Sequence, residues 1–120
     1  MTRRFVILHH TGFGDEHWDL MIENGLLLWT WKLAADPTVP QNFPMPARRI
    51  QDHRLIYLQF EGPVSGSRGT VRRMDEGMAD CLEKSAARLE LNFFGHHLSG
   101  EFVILNPSDA FGTVIRIGQN

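Results

Sequence analysis

The feature that most constrains this fold is a dipeptide, Asn24-Gly25, set between two strand-like segments. An Asn-Gly pair flanked by such segments is the strongest short-range signal for a two-residue β-hairpin, because both residues tolerate the positive φ that these turns require. Residues 17–23 (HWDLMIE) alternate, and residues 26–33 (LLLWTWKL) read as the return strand, giving an antiparallel hairpin 17–23/26–33. Side chains alternate along a strand, so His17, Asp19 and Met21 share one face while Trp18, Leu20 and Ile22 point into a core.

The remaining segments extend this pattern. Residues 4–9 (RFVILH) form a compact apolar run, a buried strand joined to the hairpin by a turn at 11–14. Residues 53–60, 70–74, 87–94, 100–105 and 113–117 read as further strands separated by turn-forming residues. Residues 75–84 (DEGMADCLEK) are expected to hold a turn and one short helix, with Met78, Cys81 and Leu82 on one side. The stretch 34–46 contains four of the six prolines and reads as an irregular rim or lid. About seven short strands and at most one short helix predict an all-β barrel or sandwich, with residues 1–120 as a single domain.

Composition narrows the function classes. A net charge of −2 argues against a generic nucleic-acid coat and leaves room for a small enzyme with a local basic groove. The single cysteine, Cys81, excludes an internal disulfide and a Cys-rich zinc knuckle. Two arginines followed by four apolar residues make no signal-peptide core, and no apolar run approaches the roughly 20 residues of a membrane span. A cytoplasmic protein without a membrane partner is the expectation.

The densest chemistry lies in residues 8–20, LHHTGFGDEHWDL, which carry three of the six histidines. His17 and Asp19 at i and i+2, with His10 from the neighbouring strand, offer three ligands on one side of a divalent cation such as manganese, iron or zinc. The bland alternative is a polar strand edge, with Asp19 bonded to a backbone amide. His53 and Tyr57, four apart on a strand, share a face and could reach one anion; otherwise His53 is half-buried against a carbonyl. Arg48 and Arg49 offer charge-assisted contacts to phosphate, or are simply solvated. His96 and His97 read as surface residues of a turn, and Trp18, Trp29 and Trp31 as packing rather than a base-stacking platform.

Taken together, four segments resemble the 3′-phosphoesterase domain of bacterial DNA ligase D. They are FVILHHTGFGDEHWDLMIENGLLLWTW, ARRIQDHRLIYLQFEG, GSRGTV and LELNFFGHHLSGEFVIL, in family order and spanning about residues 5–105. The resemblance implies a small closed antiparallel β-barrel and a manganese-dependent activity, with zinc or cobalt as alternative ions. Enzymes of this family remove a 3′-terminal ribonucleotide or 3′-phosphate from a primer, leaving a 3′-hydroxyl. The implied partners are nucleic-acid 3′ ends and a DNA ligase or polymerase.

Carried over residue by residue, the metal ligands are His10, His17 and Asp19, with His9 adjoining His10 as a substitute. His53 contacts the scissile phosphate or protonates the leaving group, Tyr57 helps orient it, and Arg48 or Arg49 binds phosphate. Glu23 falls where the family has a glutamate near the site. The chain departs from the family pattern at Met21, where the longer enzymes have arginine, and at Gln51, where they have glutamate. These departures support a second reading, a metal-binding module that docks on nucleic-acid ends or on a ligase or polymerase without catalysis.

Overall fold

The computed structural model describes residues 2–118. Nine strands run in chain order: β1 Thr2–Thr11, β2 His17–Asn24, β3 Leu27–Leu33, β4 Met45–Arg54, β5 Gly62–Pro63, β6 Thr70–Lys84, β7 Arg88–Gly95, β8 Ser99–Leu105 and β9 Gly112–Gly118. Their order in the sheet is β1-β2-β3-β4-β9-β8-β7-β6-β5, and β1 also pairs with β6. That pairing closes eight antiparallel strands into a barrel and leaves β5 as a short appendage. The fold is therefore all-β, with no α-helix among the described residues. No helix there is long and apolar enough to cross a membrane.

The barrel wall is apolar on both sides in one sector, which explains the unbroken run of β1. Phe5 and Ile7 point inward to the main core with Leu20, Ile22, Trp31 and Phe93. Val6 and Leu8 point outward and form a second core with Met21, Leu28, Leu58 and Val71. A strand covered on two faces reads as a continuous hydrophobic run rather than an alternation. The outer core is covered by the segment after β4, through Leu55, Tyr57, Phe60 and Val64. The hairpin forms, but its two-residue turn is Gly25-Leu26 rather than Asn24-Gly25: Asn24 stays in the ladder, paired to Leu27, and Gly25 alone takes the positive φ.

Two further expectations are corrected. Residues 75–84 are not a turn and a helix but the last ten residues of β6, a strand of 15 residues. β6 pairs with β1 from Thr70 to Asp80 and with β7 from Gly77 to Lys84. Two neighbouring ladders override the local helical spacing of Met78, Cys81 and Leu82. Residues 53–60 are not one strand either: β4 ends at Arg54 and Leu55–Leu58 form a 3₁₀ turn. The turn places Leu55 and Leu58 against the outer core, a burial that a straight strand leaving the wall would forgo.

The proline-rich connection between β3 and β4 is ordered by its own polar groups. Asp36 accepts from the Thr38 amide and hydroxyl at 2.8 and 2.7 Å. A 3₁₀ turn at Pro40–Asn42 follows, and Phe43 packs on Phe102 with ring centroids 5.0 Å apart. The segment folds back onto the main core rather than over the outer one.

Candidate metal centre

His10 and His17 are direct cross-strand partners on β1 and β2. Asp19 lies two residues beyond His17 on the same outward face of the wall, above Met21 and the outer core. One ligand atom from each of the three lies within 4.8 Å of the others. His17 Nε2 is 3.2 Å and His10 Nδ1 3.8 Å from opposite oxygens of the Asp19 carboxylate. His9 points to the other side of the wall, stacked on Trp18 at 4.7 Å and bonded to Glu16 at 2.6 Å. The geometry thus brings together His10, His17 and Asp19 and leaves His9 out.

Each imidazole is oriented by its other nitrogen. His17 Nδ1 lies 2.9 Å from the Asp15 carbonyl, so it donates there and Nε2 is left for a ligand role. His10 Nε2 lies 2.7 Å from the Arg68 carbonyl and donates to it, which frees Nδ1. Such partners fix the tautomer and ring orientation of metal-ligating histidines. Asp19 is 3 % exposed, and its Oδ1 is buried with no hydrogen-bond partner. The His17 contact is close, but it is not aligned as a hydrogen bond. Two neutral ring nitrogens and an orphaned carboxylate oxygen suit a divalent cation of borderline hardness.

In the protein without an ion, Asp19 holds the His17 imidazolium above its ordinary pKa of 6.5. Burial opposes this, as does the positive charge of Lys32, while the Asp15 carbonyl adds to it. Lys32 is the cross-strand partner of Asp19, and Arg48 is the partner of Lys32. The two cations therefore continue the row beside the carboxylate.

The cluster sits where two clefts meet. One, of about 250 Å³, is lined by His10, Asp19, Met21, Gln51, His53, Tyr57 and Arg68, with Phe13 at its edge. The other shares His10, Asp19, His53 and Phe13 and adds His17, Lys32, Arg48 and Arg49. The β3–β4 ladder slips between Leu28 and Thr30, opposite His53 and Ile50. A bulge of this kind bends the strand and re-aims its side chains. Beyond it, His53 Nδ1 lies 2.9 Å from the Gln51 carbonyl, and Tyr57 meets the imidazole edge-to-face at 5.6 Å.

The structure separates the other sequence candidates. Arg49 is engaged, with its guanidinium 5.3 Å from the Trp31 ring and bonded to Asp52, whereas Arg48 is exposed and borders the cationic cleft. Glu23 lines neither cleft: Arg4 holds it in an exposed pair at 2.6 Å and keeps its carboxyl below the usual range. Sequence reasoning missed Lys32, Phe13 and the Arg68 carbonyl. Lys32 was detectable from alternation, since Thr30 and Lys32 are the polar positions of β3 on the face opposite Trp29, Trp31 and Leu33. The Arg68 contact joins loops 58 residues apart and leaves no local signal.

A family profile described as the DNA ligase D 3′-phosphoesterase domain matches residues 8–106. No curated protein matches the chain.

Proposed function

The chain belongs to the DNA ligase D 3′-phosphoesterase domain family, and from that premise we propose that it is a divalent-metal phosphoesterase acting on nucleic-acid 3′ ends. The observation that carries this reading is the convergence of His10, His17 and Asp19 at the junction of two clefts that also hold His53, Lys32 and Arg48. His10 Nδ1, His17 Nε2 and Asp19 would hold the ion, with manganese first and zinc or cobalt as alternatives. Bound there, a divalent ion polarises a phosphoryl oxygen and lowers the pKa of water.

The chain's own groups do the remaining work. Lys32 and Arg48 neutralise the phosphate charge that Asp19 would otherwise repel. His53 keeps its Nδ1 proton on the Gln51 carbonyl, so Nε2 is the atom that exchanges a proton with substrate. When water attacks phosphorus, its proton goes to solvent; as the bond to the strand's 3′ oxygen breaks, His53 Nε2 gives the leaving oxygen its proton and takes another from solvent before the next turnover. The edge of Tyr57 limits rotation of that imidazole.

The test is phosphate release from a 3′-phosphate-terminated primer with manganese, which His17→Ala should abolish. Absence of turnover with manganese, zinc and cobalt, each demonstrably bound, would sink the enzymatic reading. One feature favours a second reading, a module that docks on nucleic-acid ends or on a ligase or polymerase partner. Met21, 1 % exposed, presents an apolar side chain on the cleft wall beside Asp19, where the resembling enzymes carry an arginine. Primer binding that survives His53→Ala, with no product formed, would favour it.

A further inference from the structure

The turn between β1 and β2 carries a large apolar side chain that no core claims. Phe13 is 51 % exposed, stands between two glycines and belongs to neither hydrophobic cluster. It borders both clefts of the metal centre, and its ring lies 6.4 Å from that of His10, with the planes 20° apart. The backbone beneath it is firmly seated. A Cβ at Gly69 would meet Gly12 at 3.0 Å and the Phe13 Cβ at 3.1 Å, so the two loops pack backbone to backbone. A half-exposed aromatic ring outside both hydrophobic clusters, touching only the edge of the site, is placed for contact with something else rather than for the core.

We propose that Phe13 is a stacking platform for a nucleobase at the 3′ end, so that the substrate is a base-bearing strand terminus rather than a small phosphate ester. The inference rests on the phosphoesterase reading of the same site. Charge complementarity selects this occupant: Lys32 and Arg48 border the cleft that Phe13 also borders, so a polyanion with planar apolar bases meets cations and an aromatic face together. Stacking is tolerant of sequence because every base has a π-face. Phe13 therefore confers a requirement for a base without choosing which base. Its near-parallel alignment with His10 means that a base lying on it is nearly parallel to the His10 ring, at the rim of the cleft that holds Asp19 and His53.

The experiment uses metal-free protein, in which turnover plays no part, and a 3′-phosphate primer ending in 2-aminopurine, whose fluorescence falls when it stacks. Wild type should quench the terminal base. Phe13→Ala and Phe13→Leu, the second keeping apolar bulk without a π-face, should lose the quench and bind the primer about 5–150-fold more weakly, the range that one stacked base is worth. A primer whose terminal nucleotide is abasic should bind wild type more weakly by a similar factor, and the two losses should not add. Primer bound without quenching, or an undiminished quench in both variants, overturns the stacking assignment and leaves the phosphoesterase reading standing. No primer binding by wild type, together with no phosphate release when manganese is restored, overturns both.

Discussion

The dependence of the metal centre on a distant loop can be tested at one glycine. Gly69 has φ +80°, and a Cβ built there would overlap the Thr11 carbonyl oxygen while crowding Gly12. The obstructing atoms are backbone, so Gly69→Ala cannot be absorbed by turning a side chain. The left-handed conformation alone costs an alanine roughly 1–2 kcal/mol. Displacing the adjoining loop adds to that, for a total of about 2–4 kcal/mol. For a chain of this length about 4 °C of Tm accompanies each kcal/mol, so a loss of about 8–16 °C is expected. The functional consequence is separate. Arg68 precedes Gly69, and its carbonyl receives the His10 Nε2 proton at 2.7 Å. Moving the loop away from Thr11 pulls that carbonyl off the imidazole, and loss of such a partner typically weakens metal affinity by about 10–100-fold. Gly14→Ala is the control: its φ is +65° but no atom lies within 4 Å of the added carbon, so it carries only the conformational cost. Thermal denaturation and manganese titration of both variants give the readout. A Gly69→Ala protein that melts with Gly14→Ala and binds manganese like wild type would refute the argument that this backbone contact orients His10.

Two further outcomes concern the scaffold and its pH response. Asp75 is 3 % exposed and accepts from the amides of Glu76, His96, His97 and Leu98, so it pins the β7–β8 turn. Asp75→Ala strips those donors of their shared acceptor and should cost about 3 kcal/mol or more by chemical denaturation, leaving manganese affinity unchanged; a change under about 1 kcal/mol would contradict that role. The Glu23 carboxyl is depressed below 4.5, chiefly by its hydrogen bond from Arg4. A depressed carboxyl stabilises the fold above its unfolded pKa, and that contribution disappears as pH falls through the lower folded value. Glu23→Gln should therefore flatten the stability profile below about pH 4.5 by a small amount, the pair being exposed, while leaving phosphate release intact. Lost activity at neutral pH would show that Glu23 serves the site after all.

What could be read from the sequence followed from how local each signal was. The 17–23/26–33 hairpin was legible because Asn24-Gly25 and the alternation sit within one short window, although the turn itself falls one residue later, at Gly25 and Leu26. The grouping of His10, His17 and Asp19 was legible for the same reason: His17 and Asp19 share a face by period two, and His10 is reached across a single turn. The 75–84 strand was not legible. One pairing partner, Thr2–Thr11, lies at the far N-terminal end, and although the other, Arg88–Gly95, follows directly after a short turn, the residues of 75–84 carry spacing that suits a helix. The 3₁₀ turn at Leu55–Leu58 was hidden in another way. It answers to Met21 and Leu28 on the far side of the outer core, and a run such as HRLIYLQF offers a strand reading that is locally just as good.

That mistaken strand affects the site more than its length suggests. On one straight strand, His53 and Tyr57 would share a face but lie about 13 Å apart, since each residue advances roughly 3.3 Å. The 3₁₀ turn instead brings their rings to 5.6 Å and lays Tyr57 over the outer core as well. The same packing that buries Leu58 against Val6 and Leu8 therefore sets the orientation of the His53 imidazole. The outer core and the cleft are one construction: Met21 belongs to both, with its side chain in the apolar cluster and on the cleft wall. An arginine at that position would have to place its charge among Val6, Leu8 and Leu58 or leave the cluster. In this chain the apolar choice fastens the segment that carries Tyr57 to the wall, and the cations come instead from Lys32 and Arg48 along the cross-strand row. The cationic side chains beside the candidate cluster thus stand on neighbouring strands rather than on β2, and for this reason motif reading of β2 alone underestimates the charge available there.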